Sequence, residues 1–301
     1  MPIPKVTFII ASYNYQEYLP KTLSSLVRQW NPNHAFNILV VDDGSTDNSL
    51  EIAQKFSSAN DFVKVITHDN HVNKGLSVSL QLALKYVSTE WVAFLESDDV
   101  SKPDAVQTIF NVLNNKTLGL FFFDIDPIME SKASRGWFDA YVPRIRDWFL
   151  DKAPNGLGTT MDKEILWENF IPTFSCVVVR KNLLEDCSFD CPVPAWIDWF
   201  LWIQVAQHTK VSFIDRKLVF WRIHNTSQNN KKNLREYLRH YRIFRQAVKK
   251  RLSEMEVENK FCKISFLSLP AIIPLGIRFF KMARYIGFRK VIKQIYGRLV
   301  K

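Results

Sequence analysis

Short apolar runs alternate with amphipathic stretches through the first 125 residues. The runs at 6–10, 36–41, 63–67, 91–95 and 120–125 are almost continuously apolar, as expected of strands covered on both faces. The stretches between them predict helices at 18–29, 47–56, 76–87 and 104–113. This β–α–β–α order with short connections predicts an α/β fold with a doubly wound, mostly parallel sheet. Farther along, the pattern predicts a strand at 175–179, a helix at 196–208, an extended segment at 211–224 and a basic helix at 236–258. Residues 126–170 are less regular. They carry Trp137, Phe138, Tyr141, Trp148 and Phe149, which either anchor core and loops or stack on a ligand.

In such a sheet the ligand sits at the carboxyl ends of the strands, and here those ends are polar. Ala11-Ser12-Tyr13-Asn14 follows the first strand, Asp42-Asp43-Gly44-Ser45-Thr46-Asp47 the second, and Glu96-Ser97-Asp98-Asp99 the fourth. Clustered carboxylates repel one another unless a cation neutralises them. Oxygen ligands suit Mg²⁺ or Mn²⁺, which commonly bridges one or two carboxylates and substrate phosphates. Glu96-x-Asp98, with Pro103 expected to open the next helix, therefore suggests a metal–diphosphate site. In the second cluster Ser45 or Thr46 is expected to cap a helix, and Asp43 to bind ligand.

Composition adds a size and a charge asymmetry. The chain has 301 residues, 47% hydrophobic and 23% charged, enough for a large core and unlike a disordered chain. Residues 231–301 hold 19 Lys and Arg against 4 Glu, a net +15, so the overall +10 leaves −5 for residues 1–230. A basic tail on an acidic body points to an anionic surface, or else to a solvated or core-capping helix. Cys176, Cys187, Cys191 and Cys262 lack the paired spacing of a zinc site and are expected to be reduced thiols. The start, MPIPKVTFII, has no signal-peptide features, so a cytoplasmic location is expected.

Taken together, Thr7-x-x-Ile10 with Ser12-Tyr13-Asn14, Val40-Val41-Asp42-Asp43-Gly44-Ser45-Thr46-Asp47, Asn73-Lys74-Gly75, and Phe94-Leu95-Glu96-Ser97-Asp98-Asp99 with Pro103 resemble glycosyltransferase family two, over roughly residues 4–228. The resemblance implies a GT-A fold and inverting transfer from a nucleotide sugar. It also implies nucleotide contacts from Ala11, Tyr13, Asp43, Lys74, Gly75, Glu96, Ser97 and Asp98, with Asp98 as metal ligand. Glu96 departs from the usual Asp, and Ser77-Val78-Ser79-Leu80-Gln81 departs from the usual Ala-Arg-Asn helix signature.

In the second half the family places Glu-Asp at a helix start with the Asp as base. Here Trp196-Ile197-Asp198-Trp199 keeps the Asp and replaces the Glu by Ile197. Among these apolar neighbours Asp198 would be partly desolvated, which raises a carboxylate's basicity. A helix-terminal Asp that complements the dipole is the alternative. Phe220-Trp221-Arg222-Ile223-His224-Asn225 resembles the family's Tyr-Arg-x-His segment. It offers His224 to the metal and Arg222 to the diphosphate, or else a structural pair for an acidic loop.

The expected organisation is a catalytic domain at 1–230, with a nucleotide-binding half at 1–125 and an acceptor half at 126–230. A basic helical extension follows at 231–301. The expected activity is inverting transfer from a UDP-linked sugar to an acceptor hydroxyl on a lipid-linked or surface saccharide, with Mg²⁺ or Mn²⁺. An inactive nucleotide-sugar-binding scaffold of the same fold is the alternative. A nucleotidyltransferase would want a glycine-rich loop after the first strand, and 11–15 has no Gly. Nucleic acid is not expected as a partner, since no binding module accompanies the charge.

Within the tail, Phe279, Met282, Ile286, Val291, Ile292 and Ile295 mix with Arg278, Lys281, Arg284, Arg289, Lys290 and Lys293, the composition of an interfacial helix on anionic lipid. Each basic side chain near such a surface contributes roughly 1 kcal/mol. Deleting 261–301 is expected to release the protein from anionic vesicles in a co-sedimentation assay. Undiminished sedimentation of the truncated protein would assign attachment to another surface, and unfolding would make the tail a core-capping element.

Overall fold

The apolar runs become strands of one sheet. The structure is a computed structural model that describes residues 3–115, 117–129, 162, 164–166, 169–224 and 234–255. The eight strands are β1 (Val6–Ser12), β2 (Phe36–Asp42), β3 (Val63–Thr67), β4 (Trp91–Phe94), β5 (Val100–Ser101), β6 (Leu120–Met129), β7 (Val177–Arg180) and β8 (Val211–Ile223). They lie in the order β3-β2-β1-β4-β7-β6-β8-β5. The pairs β1–β2, β2–β3, β1–β4 and β6–β8 are parallel. The pairs β4–β7, β6–β7 and β5–β8 are antiparallel. The fold is thus a mixed α/β sheet, mostly parallel, with β7 inserted at its centre against the direction of β4.

Helices α1 (Leu19–Val27), α2 (Ser49–Ala59), α3 (Leu76–Tyr86) and α4 (Ala105–Leu113) follow the first, second, third and fifth strands. Their apolar faces, for example Leu19, Leu23 and Leu26 of α1, join a core with the buried residues of β1, β2 and β4. Past the centre of the chain come α5 (Lys181–Glu185), α6 (Ile197–Val205) and α7 (Leu234–Glu254). Helix α6 is buried along nearly its whole length. Ile197, which stands where the family motif has Glu, is part of the core.

Two local expectations are corrected. Neither Ser45 nor Thr46 caps α2. Its N-cap is Asn48, with no side-chain cap bond, because nearer groups claim the hydroxyls: Ser45 Oγ donates to Asp42 Oδ2 at 2.6 Å and Thr46 Oγ1 to Asn14 Oδ1 at 3.3 Å. Pro103 does not open α4. That helix starts at Ala105 with Asp104 at its N-cap.

The basic helix α7 packs through one face. Tyr241, Phe244 and Val248 are buried, and Trp199 of α6 stacks on Phe244 with ring centroids 4.7 Å apart. Trp196 meets the same ring edge-on at 5.3 Å. Helix α7 therefore covers the outer face of α6, the helix that carries Asp198. The aromatics at 137–149, Cys262 and the tail 261–301 lie outside the described residues. Among the described residues no helix is long and apolar enough to cross a membrane.

Candidate active site

The carboxyl ends of β1, β2 and β4 lie side by side, since Ser12 pairs with Asp42 and Ile9 with Phe94. Their polar loops are stitched together. Asn14 N–H donates to Ser45 Oγ at 3.0 Å, Asn14 Oδ1 accepts Thr46 N–H at 2.8 Å, and Gln16 Oε1 accepts Asn48 N–H at 3.0 Å. Ser97 Oγ donates to the Ala11 carbonyl at 2.7 Å, which joins the β4 end to the β1 end. Tyr13, at the mouth of this ledge, is exposed.

Asp43 is buried and holds the loop before α3. Its carboxylate accepts the Lys74 N–H at 2.8 Å and the Gly75 N–H at 2.9 Å, with His68 Nε2 at 3.3 Å. The close approach requires glycine at 44, where φ is +74° and an added Cβ would stand 2.5 Å from the Asn73 nitrogen. Lys74 itself faces solvent. Asp42 is buried beside it and accepts from Ser45 and, at 2.8 Å, from His71 Nε2.

The acidic loop after β4 is the most charged part of the site. Glu96 and Asp98 are partly exposed and Asp99 is fully buried. Burial first, and then the neighbouring Asp98 charge, push Glu96 up to about 8, with Asp198 adding to the rise. Asp99 is raised well above the usual carboxylate range by burial, then by Asp98 and Glu96. Burial and the same three carboxylates raise the Tyr15 phenol. The donors that reach the pair are the Thr173 hydroxyl to Glu96 Oε2, the Ser175 hydroxyl to Asp99 Oδ2 and the Arg222 N–H to Asp99 Oδ1 at 2.8 Å. Thr22 Oγ1, on α1, lies 2.8 Å from both the Ser97 and the Asp99 carbonyl oxygens.

The end of β8 closes the loop from the other side. His224 Nε2 lies 2.9 Å from Asp98 Oδ2. Arg222 Nε donates to the Asp98 carbonyl at 2.8 Å. Tyr18 stacks on the His224 ring at 5.2 Å and carries the Arg222 guanidinium 4.9 Å from its own ring centroid. Asp98 thus forms one cluster with Arg222 and His224, 124 and 126 positions farther along the chain.

Among the described residues no three His, Cys, Asp or Glu side chains gather as a metal cage. The Asp98–His224 pair nevertheless fits Mn²⁺ or Mg²⁺ of the kind that takes one or two protein ligands and completes its shell with phosphate oxygens and water. The carboxylate suits either ion, and the imidazole suits the softer Mn²⁺ better.

Asp198 sits in the first turn of α6. Burial pushes its carboxyl up to about 6, against hydrogen bonds from the Trp199 and Asp198 backbone N–H groups and from Asn169. Asn169 Nδ2 donates to Asp198 Oδ2 at 2.8 Å. Asn169, Thr173, Ser175 and Tyr18 were not singled out from the sequence. They follow no motif, and their partners are 29 to 79 positions away or held only by the packing.

The model of the family described as "Glycosyl transferase family 2" matches residues 7–188. The chain is 25% identical over 210 residues to the Escherichia coli UDP-Glc:alpha-D-GlcNAc-diphosphoundecaprenol beta-1,3-glucosyltransferase WfgD, covering 70% of this chain and 73% of that one. Among solved structures it resembles Staphylococcus aureus TarS 1–349 in complex with UDP-GlcNAc, with TM-score 0.61 and 18% identity over 94% of this chain and 75% of that one. It also resembles the mannosyltransferase PcManGT from Pyrobaculum calidifontis in complex with GDP-Man and Mn²⁺, with TM-score 0.56 and 16% identity over 99% and 80% of the two chains. Matches to other curated glycosyltransferases span 40%, 66% and 19% of their lengths.

The raised Glu96 carboxyl has a consequence for stability. A carboxyl whose folded pKa is raised binds its proton more tightly in the folded state. Its stabilising effect is present at low pH and is lost as pH rises from the unfolded value near 4.5 to about 8. Glu96→Gln removes that dependence. Its melting temperature, followed by scanning fluorimetry from pH 5 to 9, is expected to fall less steeply than that of the wild type. A variant profile parallel to the wild type would show that Glu96 does not titrate in this range.

Proposed function

The chain belongs to glycosyl transferase family 2, and on that premise we propose that it transfers a sugar with inversion from a UDP-linked donor to an acceptor hydroxyl. The observation that carries the reading is the placement of Asp198. Asp198, whose carboxyl burial pushes up to about 6, stands at the start of α6 and lies close enough to the β4 acidic loop for its charge to act on Glu96. That is the relation a general base needs to a donor-binding loop: one carboxylate on the acceptor side, others on the phosphate side.

In this reading Asp198 takes the proton of the acceptor hydroxyl as its oxygen attacks the anomeric carbon. The bond from that carbon to the diphosphate breaks, and the sugar inverts in one displacement. Ala11, Tyr13, Asp43, Lys74, Gly75, Glu96 and Ser97 line the strand ends where the nucleoside would lie, and Asp98 and His224 would hold the metal. Arg222, anchored on Asp98 and Tyr18, places its positive charge beside the departing diphosphate. A bound divalent cation would supply charge neutralisation for the diphosphate. The proposed acceptor is a lipid-linked or surface saccharide. The related glucosyltransferase WfgD, whose name specifies a diphosphoundecaprenol acceptor, supports this class, as does the basic 231–301 segment. That segment would hold the enzyme at the inner face of the cell membrane. The UDP-GlcNAc complex of TarS and the GDP-Man and Mn²⁺ complex of PcManGT support the donor class and the metal.

Asp198→Asn keeps the shape and removes the base. It is expected to bind UDP like the wild type and to lose about 10²–10⁴-fold in turnover, read as UDP release from UDP-glucose and UDP-N-acetylglucosamine. In the wild type the rate should rise with pH through about 6 as Asp198 ionises. Wild-type turnover in the variant would place the base elsewhere.

A further inference from the structure

One short segment touches the carboxylates on both sides of the site. From residue 169 to residue 175 the chain presents three polar side chains, each bonded to a different acid. Asn169 Nδ2 donates to Asp198 Oδ2 at 2.8 Å. The Thr173 hydroxyl donates to Glu96 Oε2. The Ser175 hydroxyl donates to Asp99 Oδ2, and its oxygen accepts the Glu96 N–H at 2.8 Å. The segment is tied down from within. Thr173 accepts the Ser175 N–H, Asn169 Oδ1 accepts the Ile171 N–H at 3.2 Å, and Ile171, Thr173, Phe174 and Ser175 are buried. Phe174 locks it to the core, with Phe94 of β4 at 5.1 Å and Trp202 of α6 at 5.5 Å between ring centroids. Those are the two elements that carry the acidic loop and Asp198.

We infer that segment 169–175 is a positioning element that sets the acceptor-side carboxylate against the donor-side acidic loop, and that Asn169 is the residue through which it orients Asp198. The inference rests on the reading of Asp198 as the base. A carboxylate on a helix can rotate about its side-chain bonds. A donated carboxamide bond fixes its plane and favours its ionised form. Thr173 and Ser175 do the same for the opposing acids, and the rigid Phe174 between them prevents the two sides from drifting apart. Sub-ångström placement of reacting groups is worth orders of magnitude in rate, which gives such a clamp a catalytic effect without contact with substrate. Asp198 faces further charged and titratable groups. Glu96 lies on the acidic loop, and Cys176 and Cys191, both buried thiols, lie close enough to feel its charge. The hydrogen bond to the Asp198 side chain comes from the Asn169 carboxamide.

The test is a ¹³C-aspartate NMR titration of the full chain, with the Asp198 signal assigned by its loss in Asp198→Asn. In Asn169→Ala the Asp198 carboxyl should titrate roughly one pH unit above its wild-type midpoint, the size expected for losing a hydrogen bond to a charged group. In Asn169→Asp, which keeps the side-chain shape and adds a like charge, it should titrate higher still, and this variant serves if the alanine variant does not fold. UDP release from UDP-glucose and UDP-N-acetylglucosamine should fall about tenfold or more in kcat for either variant, with UDP affinity unchanged. An unmoved Asp198 midpoint in a folded Asn169 variant overturns the inference and leaves the base assignment standing. Wild-type turnover in Asp198→Asn overturns the base assignment, and the inference with it.

Discussion

Three carboxylates within four consecutive residues, Glu96, Asp98 and Asp99, are held at the end of one buried strand, and the rest of the site is arranged around their mutual repulsion. Two like charges about 4 Å apart cost on the order of 4 kcal/mol at an effective dielectric of 20, and burial raises the cost of each. The fold answers with donors from three distant elements. Thr22 of α1 ties down the loop backbone at the Ser97 and Asp99 carbonyl oxygens, and the carboxylates themselves are met by Thr173 and Ser175 from the approach to β7 and by Arg222 and His224 from the end of β8. Even so, Glu96 stays raised to about 8. The donors the protein supplies thus relieve the repulsion among the three acids only in part, and a proton on Glu96 relieves more of it.

β7 and β8 are the strands that deliver these donors. Antiparallel β7 beside β4 brings the 169–175 segment against the acidic loop. Parallel β8 beside β6, with its register shift near Asp124, carries Arg222 and His224 back to it. Helix α7 then buries Tyr241, Phe244 and Val248 over the helix that holds Asp198. A helix rich in Lys and Arg thus also braces the helix that carries Asp198.

The strands of the first half were legible because a strand buried on both faces is a continuous apolar run. Residues 63–67 are expected and found as a strand, and the helix expected at 76–87 is α3. Sheet order past β4 was not legible, since it depends on pairings across long separations, such as Trp91 with Arg180. β5 is only two residues long and leaves no periodicity to read. In the site, Glu96 and Asp98 stand out as acids at the end of an apolar strand, Asp198 stands out only through the family resemblance, and the structure gathers Asp98, Arg222 and His224 in one cluster. Asn169, Thr173 and Ser175 do not stand out, because a hydroxyl or amide in irregular chain announces no partner until the fold supplies one. The caps expected of Ser45 and Thr46 fail for a related reason: the Asp42 carboxylate and the Asn14 side chain bind those hydroxyls first.

If the acidic loop is built to be completed by a cation and a diphosphate, the two should bind together. Isothermal titration of UDP into the protein, with Mn²⁺ and again with EDTA, measures this directly. The account predicts that Mn²⁺ tightens UDP binding by roughly tenfold or more, comparable to the loss when a metal site is disturbed, and that Asp98→Ala abolishes the difference. Equal UDP affinity with and without the metal in the wild type would contradict it.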